Sequence, residues 1–452
     1  MIELSGLRVV VVGLGASGIA AARLCAARGA NVVATDQKRE QDLAPSTRQD
    51  CLALASAGVE LSFGGHRQAG LDHADLVVVS PGVPTFPELA VAEQRGVAVI
   101  GEVELAVRAL RHDVPIVAVG GTNGKSTTTS IVGAMLEAHG LRTFVGGNLG
   151  EPLSAHAEEP WDVVVLEVSS FQMERVQAFR PRVSILLNVT DDHLDRYPDF
   201  DAYADAKGNA FARQVATDVA IVPFGDATCE RQARRGQGRL VTFGRGGLLD
   251  VTDADIVDRR SGAMWSRADL TLAGEHNAVN AAAAIAAALE LGVPKDVIRE
   301  ALRTFRGLPH RMALVAEVGG VRFYDDSKGT NVGASVTALR GLSEHRAVLI
   351  AGGRDKGGSY EPLVDALRDK GKAAVLIGEA RAAIARAIGD AVPVHEVETL
   401  GDAVRLSQRL AAPGDAVLLS PACSSYDMFV DYKQRGDEFV REVRALTAAR
   451  SG

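Results

Sequence analysis

The most specific chemistry in this chain lies in eight consecutive residues, Gly120-Gly121-Thr122-Asn123-Gly124-Lys125-Ser126-Thr127. They follow an apolar run, Ile116–Val119, and lead into a stretch of helical composition. In a turn of this kind the backbone amides point inward and, with the helix N-terminus, form a hole for polyphosphate. Lys125 would neutralise the outer phosphates and the Ser126 hydroxyl would ligate Mg²⁺. The strict phosphate-loop pattern places four residues between its glycines, whereas only three separate Gly120 from Gly124.

A second group of residues follows two later strand-like runs. Glu167 opens Glu167-Val168-Ser169-Ser170, and His193 lies within Thr190-Asp191-Asp192-His193-Leu194-Asp195. Both segments sit beyond the C-terminal ends of expected parallel strands, the edge where open α/β sheets gather ligands. A carboxylate and an imidazole facing a triphosphate suggest Mg²⁺ ligands. Taken alone, His193 would read as a capping or packed histidine. Lys207, on an expected helix, would read by its own chemistry as a surface lysine. Asn277 and Asn280, three apart at a helix start, could read an adenine edge or cap the helix.

Two further regions carry binding chemistry. Gly13-Leu14-Gly15-Ala16-Ser17-Gly18 matches G-x-G-x-x-G between strand and helix, with Asp36 where a ribose-binding acid belongs. The same geometry holds the diphosphate of any nucleotide-linked ligand. Near the C-terminus, Asp325–Asn331, Gly352–Lys356 and Ser420–Ser425 are polar loops, each after an expected strand. Their lysines favour an anionic group such as a carboxylate.

The elements that must position these residues are those of a parallel α/β protein. Short β-branched runs alternate with Ala- and Leu-rich stretches of helical length. Strands are expected at Leu7–Val12, Val32–Thr35 and Leu76–Ser80, then at Ile116–Val119, Val163–Leu166 and Ser184–Asn188. A third series comprises Val321–Tyr324, Ala347–Ala351, Ala374–Ile377 and Ala416–Leu419. Residues 225–270 are less regular and read as a small β-rich insertion, and Ala278–Leu289 reads as a helix. The pattern breaks at Gly307-Leu308-Pro309-His310-Arg311. The expectation is three domains, at 1–105, 106–308 and 309–452: the first Rossmann-like, the second a mostly parallel phosphate-loop sheet, the third again Rossmann-like.

Composition excludes several classes. With 452 residues, 47% hydrophobic and 23% charged, the chain is a multidomain globular protein. Its net charge of -8 and lack of dense basic runs argue against a nucleic-acid partner. Cys25, Cys51, Cys229 and Cys423 are too scattered for a zinc site or a disulfide framework, and are expected as buried thiols. There is neither a leader-like N-terminus nor an apolar run of membrane-spanning length, so a cytoplasmic protein is expected.

Taken together, GTNGKST, EVSSFQ, TDDHLDRY, HNAVN, LPHR, DDSKGTN and SPACSS resemble the Mur ligase family across nearly the whole chain. GLGASG, SPGVP and YPDF look most like its D-glutamate-adding members. The resemblance implies an ATP-dependent ligase that joins D-glutamate to UDP-N-acetylmuramoyl-L-alanine through an acyl phosphate and a tetrahedral intermediate, in peptidoglycan precursor synthesis. It implies a UDP-binding first domain, an ATP-binding second and an amino-acid-binding third, in a chain expected to act as a monomer.

Carried over residue by residue, Gly121, Thr122, Asn123, Gly124, Lys125, Ser126 and Thr127 would hold the ATP phosphates. Asn277 and Asn280 would meet adenine, and Arg311 and Asp326 phosphate and ribose. Ser126, Glu167 and His193 would ligate two Mg²⁺, together with Lys207 carrying a CO₂-derived carbamate. Ala16, Ser17, Asp36, Gly82 and Asn148 would hold the UDP-sugar. Thr330, Lys356 and Ser425 would grip the D-glutamate carboxylates, with Lys328 beside the reacting centre and Lys125, His193 and Lys207 serving catalysis. Gln37 and Lys38 stand where the family often seats uracil with Thr or Arg. The D-N-P-R motif of diaminopimelate-adding relatives is absent, which favours an acidic amino acid. Other Mur-type or folylpolyglutamate-type ligases are the nearest alternatives. A nicotinamide-dependent oxidoreductase or a regulatory ATPase would leave most of these motifs unexplained.

Overall fold

The structure is a computed structural model that describes residues 2–192, 196–272, 274–355 and 359–448. His193 and Lys356 therefore lie outside the described residues. The chain divides into two compact units, Met1–Asp269 with Val279–Thr304, and Leu270–Ala278 with Phe305–Gly452. The first holds two sheets and the second holds one.

The first sheet contains β1 (Arg8–Val12), β2 (Asn31–Asp36), β3 (Glu60–Phe63), β4 (Leu76–Val79) and β5 (Ala98–Gly101), all parallel, in the order β3-β2-β1-β4-β5. Val9–Val12 and Leu76–Val79 are buried throughout, as strands covered by helices on both faces must be. The order reverses at β1, so its turn is flanked by the ends of β2 and β4. Such a reversal opens a crevice for ligands.

The second sheet runs β14-β13-β12-β11-β10-β9-β6-β8-β7, from β6 (Ile116–Gly120), β7 (Thr143–Gly147), β8 (Val163–Glu167), β9 (Val183–Leu186), β10 (Val219–Pro223), β11 (Arg239–Phe243), β12 (Leu249–Val251), β13 (Asp255–Asp258) and β14 (Ala263–Ser266). The segment read as an insertion instead continues this sheet. β11 and β12 extend it in parallel, and β13 and β14 close it antiparallel. Its alternating buried and half-buried residues conceal it among the continuous apolar runs of the central strands. β6 lies between β8 and β9, again at the reversal.

One carboxylate joins these two layers. Glu104, fully buried in helix Glu102–Ala109, accepts the backbone N–H groups of Gln177, Ala178 and Phe179 at 2.9, 2.7 and 3.0 Å. Arg108 Nε donates to it at 2.6 Å. A buried carboxylate persists only when its lone pairs are used in this way.

In the second unit, β15 (Ala313–Val318), β16 (Val321–Asp325), β17 (Ala347–Gly352), β18 (Gly371–Ile377), β19 (Val394–Glu396) and β20 (Ala416–Leu419) pair in the order β15-β16-β20-β17-β18-β19. Only β15 is antiparallel. Because β16, β20 and β17 are parallel neighbours, their following loops emerge side by side. The four cysteines are buried and unpaired. Among the described residues no helix is long and apolar enough to cross a membrane.

Candidate active site

The turn after β6 is held by β9 and its own helix. The Thr122 N–H donates to the Asn188 carbonyl (3.0 Å) and the Asn123 N–H to Asn188 Oδ1 (2.9 Å), while Asn188 Nδ2 returns a bond to the Asn123 carbonyl (3.1 Å). Gly124 must lack a side chain. It has φ of 85°, and a Cβ there would strike Asn280 Oδ1, so Asn280 packs directly on the turn. Lys125 begins helix Lys125–Ala138 and folds its ammonium back onto the Thr122 carbonyl at 2.9 Å.

Glu167 ends β8, beside the turn. Its carboxylate accepts the Ser126 hydroxyl and, at 2.6 Å, Asn148 Nδ2. The Asn148 N–H donates to the Glu167 carbonyl at 2.9 Å. Glu167 and Ser126 are both buried. A hydroxyl and a carboxylate side by side are the hard oxygen donors that Mg²⁺ prefers. Asn148, expected at the UDP-sugar, is thus also a partner of the expected metal ligand.

Lys207 differs from the surface lysine that its isolated chemistry suggests. It is 5% exposed, in helix Phe200–Gly208, and donates to the Gly121 carbonyl at 3.0 Å. Its ammonium lies 4.4 Å from the centre of the Tyr203 ring, and the Tyr203 hydroxyl is 3.2 Å from Thr122 Oγ1. Burial holds the Lys207 pKa well below the ordinary lysine value, and the nearby Lys125 cation lowers it further against the pull of Asp192 and Glu167. Asn188 and Tyr203 were missed by sequence reasoning. A signal for Tyr203 was available, since it precedes Lys207 by four residues and so shares its helix face.

The first sheet presents a second crevice. The helix Ala16–Ala27 approaches so closely that a Cβ at Gly18 would overlap the Gly13 carbonyl. Ser80 Oγ donates to that same carbonyl at 2.7 Å. Asp36 accepts the Leu14 N–H at 2.8 Å and the Lys38 N–H at 2.9 Å, so it braces the turn. Ala16 and Gly82 are exposed at this edge and Ser17 is half-buried. Beyond Asp36 lies a cavity of about 590 Å³ lined by Gln37, Phe63, His66, Arg67, Val83 and Phe86, among others. The His66 and Phe86 rings are 4.5 Å apart, and burial lowers the His66 pKa, which favours neutral imidazole.

In the second unit, the loop after β16 carries Asp326, Lys328 and Thr330, and the loop after β20 carries Ser425. Ser420 Oγ donates to Asp326 Oδ2 at 2.7 Å, the Ala422 N–H to the Gly329 carbonyl at 2.9 Å, and the Arg354 N–H to the Ser424 carbonyl at 2.9 Å. Beneath them Arg435, fully buried, donates through Nη2 to the Ser327 carbonyl (2.9 Å) and the Cys423 carbonyl (3.3 Å). Burial pushes Asp326 up to about 7, although nearby Arg311 favours its charged form. The Lys328 ammonium stands 4.1 Å from the centre of the Tyr432 ring. Asn277 lies in the segment Leu270–Ala278 of this unit and Asn280 in the first, although both belong to helix Glu275–Glu290.

Three family models match the chain. "Mur ligase MurD-like, N-terminal domain" matches residues 7–101, "Mur ligase middle domain" 119–288, and "Mur ligase, glutamate ligase domain" 310–423. A UDP-N-acetylmuramoylalanine–D-glutamate ligase from Anaeromyxobacter dehalogenans is 46% identical, over 97% of this chain and 98% of that protein. One of the same name from Geotalea uraniireducens is 44% identical over 98% of each. Among solved structures, the UDP-N-acetylmuramate-alanine ligase of Thermotoga maritima shares the fold with a TM-score of 0.61 at 21% identity, covering 97% of this chain and 99% of that one. The MurF ligase of Thermotoga maritima in complex with ADP has a TM-score of 0.63 at 16% identity, covering 99% and 96%. With its three matched domains and its full-length relatives, the chain belongs to the Mur ligase family.

Proposed function

We propose that this enzyme joins D-glutamate to UDP-N-acetylmuramoyl-L-alanine at the expense of ATP, and that its domains divide the work at 1–105, 106–308 and 309–452. One observation carries the reading. Lys207, Glu167 and Ser126 pack on one phosphate turn, in a chain 46% identical along its length to a ligase of that name.

In the first step an oxygen of the substrate carboxylate attacks the γ-phosphorus of ATP. The bond from that phosphorus to the β-bridging oxygen breaks, and ADP leaves. Little covalent work falls to the protein in such a transfer, so positioning and charge neutralisation dominate. The turn amides of Gly121–Thr127 orient the phosphates, and Lys125 moves from the Thr122 carbonyl to meet the developing negative charge. Mg²⁺, held through Ser126 and Glu167, would neutralise phosphate charge. Asn148 fixes the Glu167 carboxylate, and His193 belongs to the same expected ligand set. Lys207 is expected to react as the neutral amine with CO₂, losing a proton and becoming an anionic carbamate beside Lys125.

In the second step the D-glutamate amine attacks the acyl carbon, and inorganic phosphate departs from the tetrahedral intermediate. Thr330, Lys356 and Ser425 would hold the amino-acid carboxylates, and Lys328, steadied by Tyr432, would stand near the reacting carbonyl. Arg311 and Asp326 are assigned to the nucleotide, with Asn277 and Asn280 at adenine. The cavity beyond Asp36 suits the nucleobase and ribose of UDP. Ala16, Ser17 and Gly82 would face the diphosphate-sugar, and Gln37 lines the cavity where the family often seats uracil with Thr or Arg.

The test is ADP release with UDP-N-acetylmuramoyl-L-alanine, ATP and Mg²⁺, comparing D-glutamate, L-glutamate, L-alanine and meso-diaminopimelate. We expect turnover with D-glutamate alone and a product heavier by one glutamyl residue. Turnover with UDP-N-acetylmuramate and L-alanine instead would reassign the enzyme within its family.

A further inference from the structure

Thr190 and Arg196 are held on different turns of the first unit. The Thr190 N–H donates to Thr122 Oγ1 (3.1 Å) and the Thr122 hydroxyl donates to the Thr190 carbonyl (3.2 Å). Thr190 therefore sits on the turn after β6. Arg196 Nη2 donates to Glu174 Oε2 (2.8 Å) and to the Val83 carbonyl (3.4 Å), and Nη1 to the Gly82 carbonyl (3.5 Å). Arg196 therefore sits on the turn after β4.

Several neighbours hold the Arg196 guanidinium in place. Its central carbon is 5.4 Å from the centre of the Phe171 ring. The Tyr197 ring stacks on Phe171 at 6.0 Å and 13°, and its hydroxyl donates to the other Glu174 oxygen at 2.7 Å. Arg196 and Glu174 side chains are only 21% and 25% exposed, so solvent screens the pair incompletely. Only a planar fork with five donors serves a carboxylate and two successive carbonyls at once. Arg175 makes a comparable link, to Glu93 and Thr85, but it ends on the helix after the turn and on the turn's far side.

We propose that Arg196 is a positioning residue that holds the turn after β4, and with it the UDP-linked substrate, in register with the phosphate turn. This rests on the reading above that the two turns serve UDP-N-acetylmuramoyl-L-alanine and ATP. Arg196 touches neither reacting atom. It acts through the Gly82 and Val83 carbonyls, so its removal leaves the phosphate turn intact and loosens the substrate turn.

The experiment is equilibrium binding and steady-state kinetics of the full enzyme bearing Arg196→Ala or Arg196→Lys. In the alanine variant we expect affinity for UDP-N-acetylmuramoyl-L-alanine to fall about tenfold, the scale of one lost charge-assisted contact. Affinity for a non-hydrolysable ATP analogue and the melting temperature should stay at their wild-type values. Lysine should restore only part of the loss, because an ammonium pairs with Glu174 without forking onto both carbonyls. Unchanged affinity for the UDP-linked substrate, or equal losses for both ligands, would overturn the proposal. If the wild-type enzyme itself does not bind that substrate, the functional reading falls, and this inference with it.

Discussion

Replacing Lys207 by alanine should lower turnover about a thousandfold or more, as loss of a principal charge-stabilising group does in phosphoryl transfer. The reason is positional. Lys207 reaches the Gly121 carbonyl from a buried site, and Lys125 and Glu167 both act on its charge. A second permanent ammonium there would oppose Lys125, whereas a carbamate would pair with it and offer oxygen to the metal. Short-chain carboxylates should therefore restore part of the activity of the alanine variant, and bicarbonate should stimulate a CO₂-depleted wild type.

Loss of activity can be separated from loss of fold through stability. The folded-state pKa of Lys207 lies below the unfolded value of 10.5. The unfolded chain thus binds the extra proton, and the wild type carries a stability deficit. That deficit is full below the depressed value and vanishes as pH rises through 10.5. In CO₂-depleted buffer Lys207→Met should melt no lower than wild type at neutral pH, with any gain shrinking towards pH 10. Full activity in the alanine variant would remove the carbamate from the mechanism.

Lys125→Ala should cost a similar factor, about a hundredfold to a thousandfold, by leaving the charge of the transferring phosphoryl group without its cation. It has a second consequence that a simple loss of ATP binding would lack. The Lys125 charge is one cause of the lowered Lys207 pKa. Without it Lys207 keeps its proton to higher pH, so residual activity should peak at higher pH than in the wild type and depend more steeply on CO₂. Rate profiles against pH at two bicarbonate concentrations measure this directly. An unshifted profile would show that the two lysines do not sense each other.

Much of the fold could be read in advance because parallel strands buried on both faces are continuous apolar runs. Val9–Val12, Val163–Leu166 and Ala347–Ala351 are of this kind, and each has a parallel strand on both sides. What escaped were mostly strands near sheet edges, although β10, a buried run at the middle of the second sheet, escaped as well. β3 and β19 are four and three residues long and carry no fully buried residue. β13 and β14 alternate with the half-exposed period of an antiparallel edge. The polar loops were legible from their position after strands, since β16, β20 and β17 are neighbours. The environment of Lys207 was not legible. Its burial depends on Tyr203 and on the carbonyl of Gly121, 86 positions away in sequence. Arg196 and Arg435 escaped for the same reason, because an arginine's partners are set by tertiary contacts that leave no local pattern.

An enzyme that activates a carboxylate by phosphorylation before the amine arrives must pass a carboxylate oxygen to phosphate. Turnover with UDP-N-acetylmuramoyl-L-alanine labelled with ¹⁸O in its terminal carboxylate measures that transfer. The inorganic phosphate released should carry one ¹⁸O from that carboxylate, and the ADP should carry none. Phosphate free of label, formed while the amide product accumulates, would contradict activation by phosphorylation.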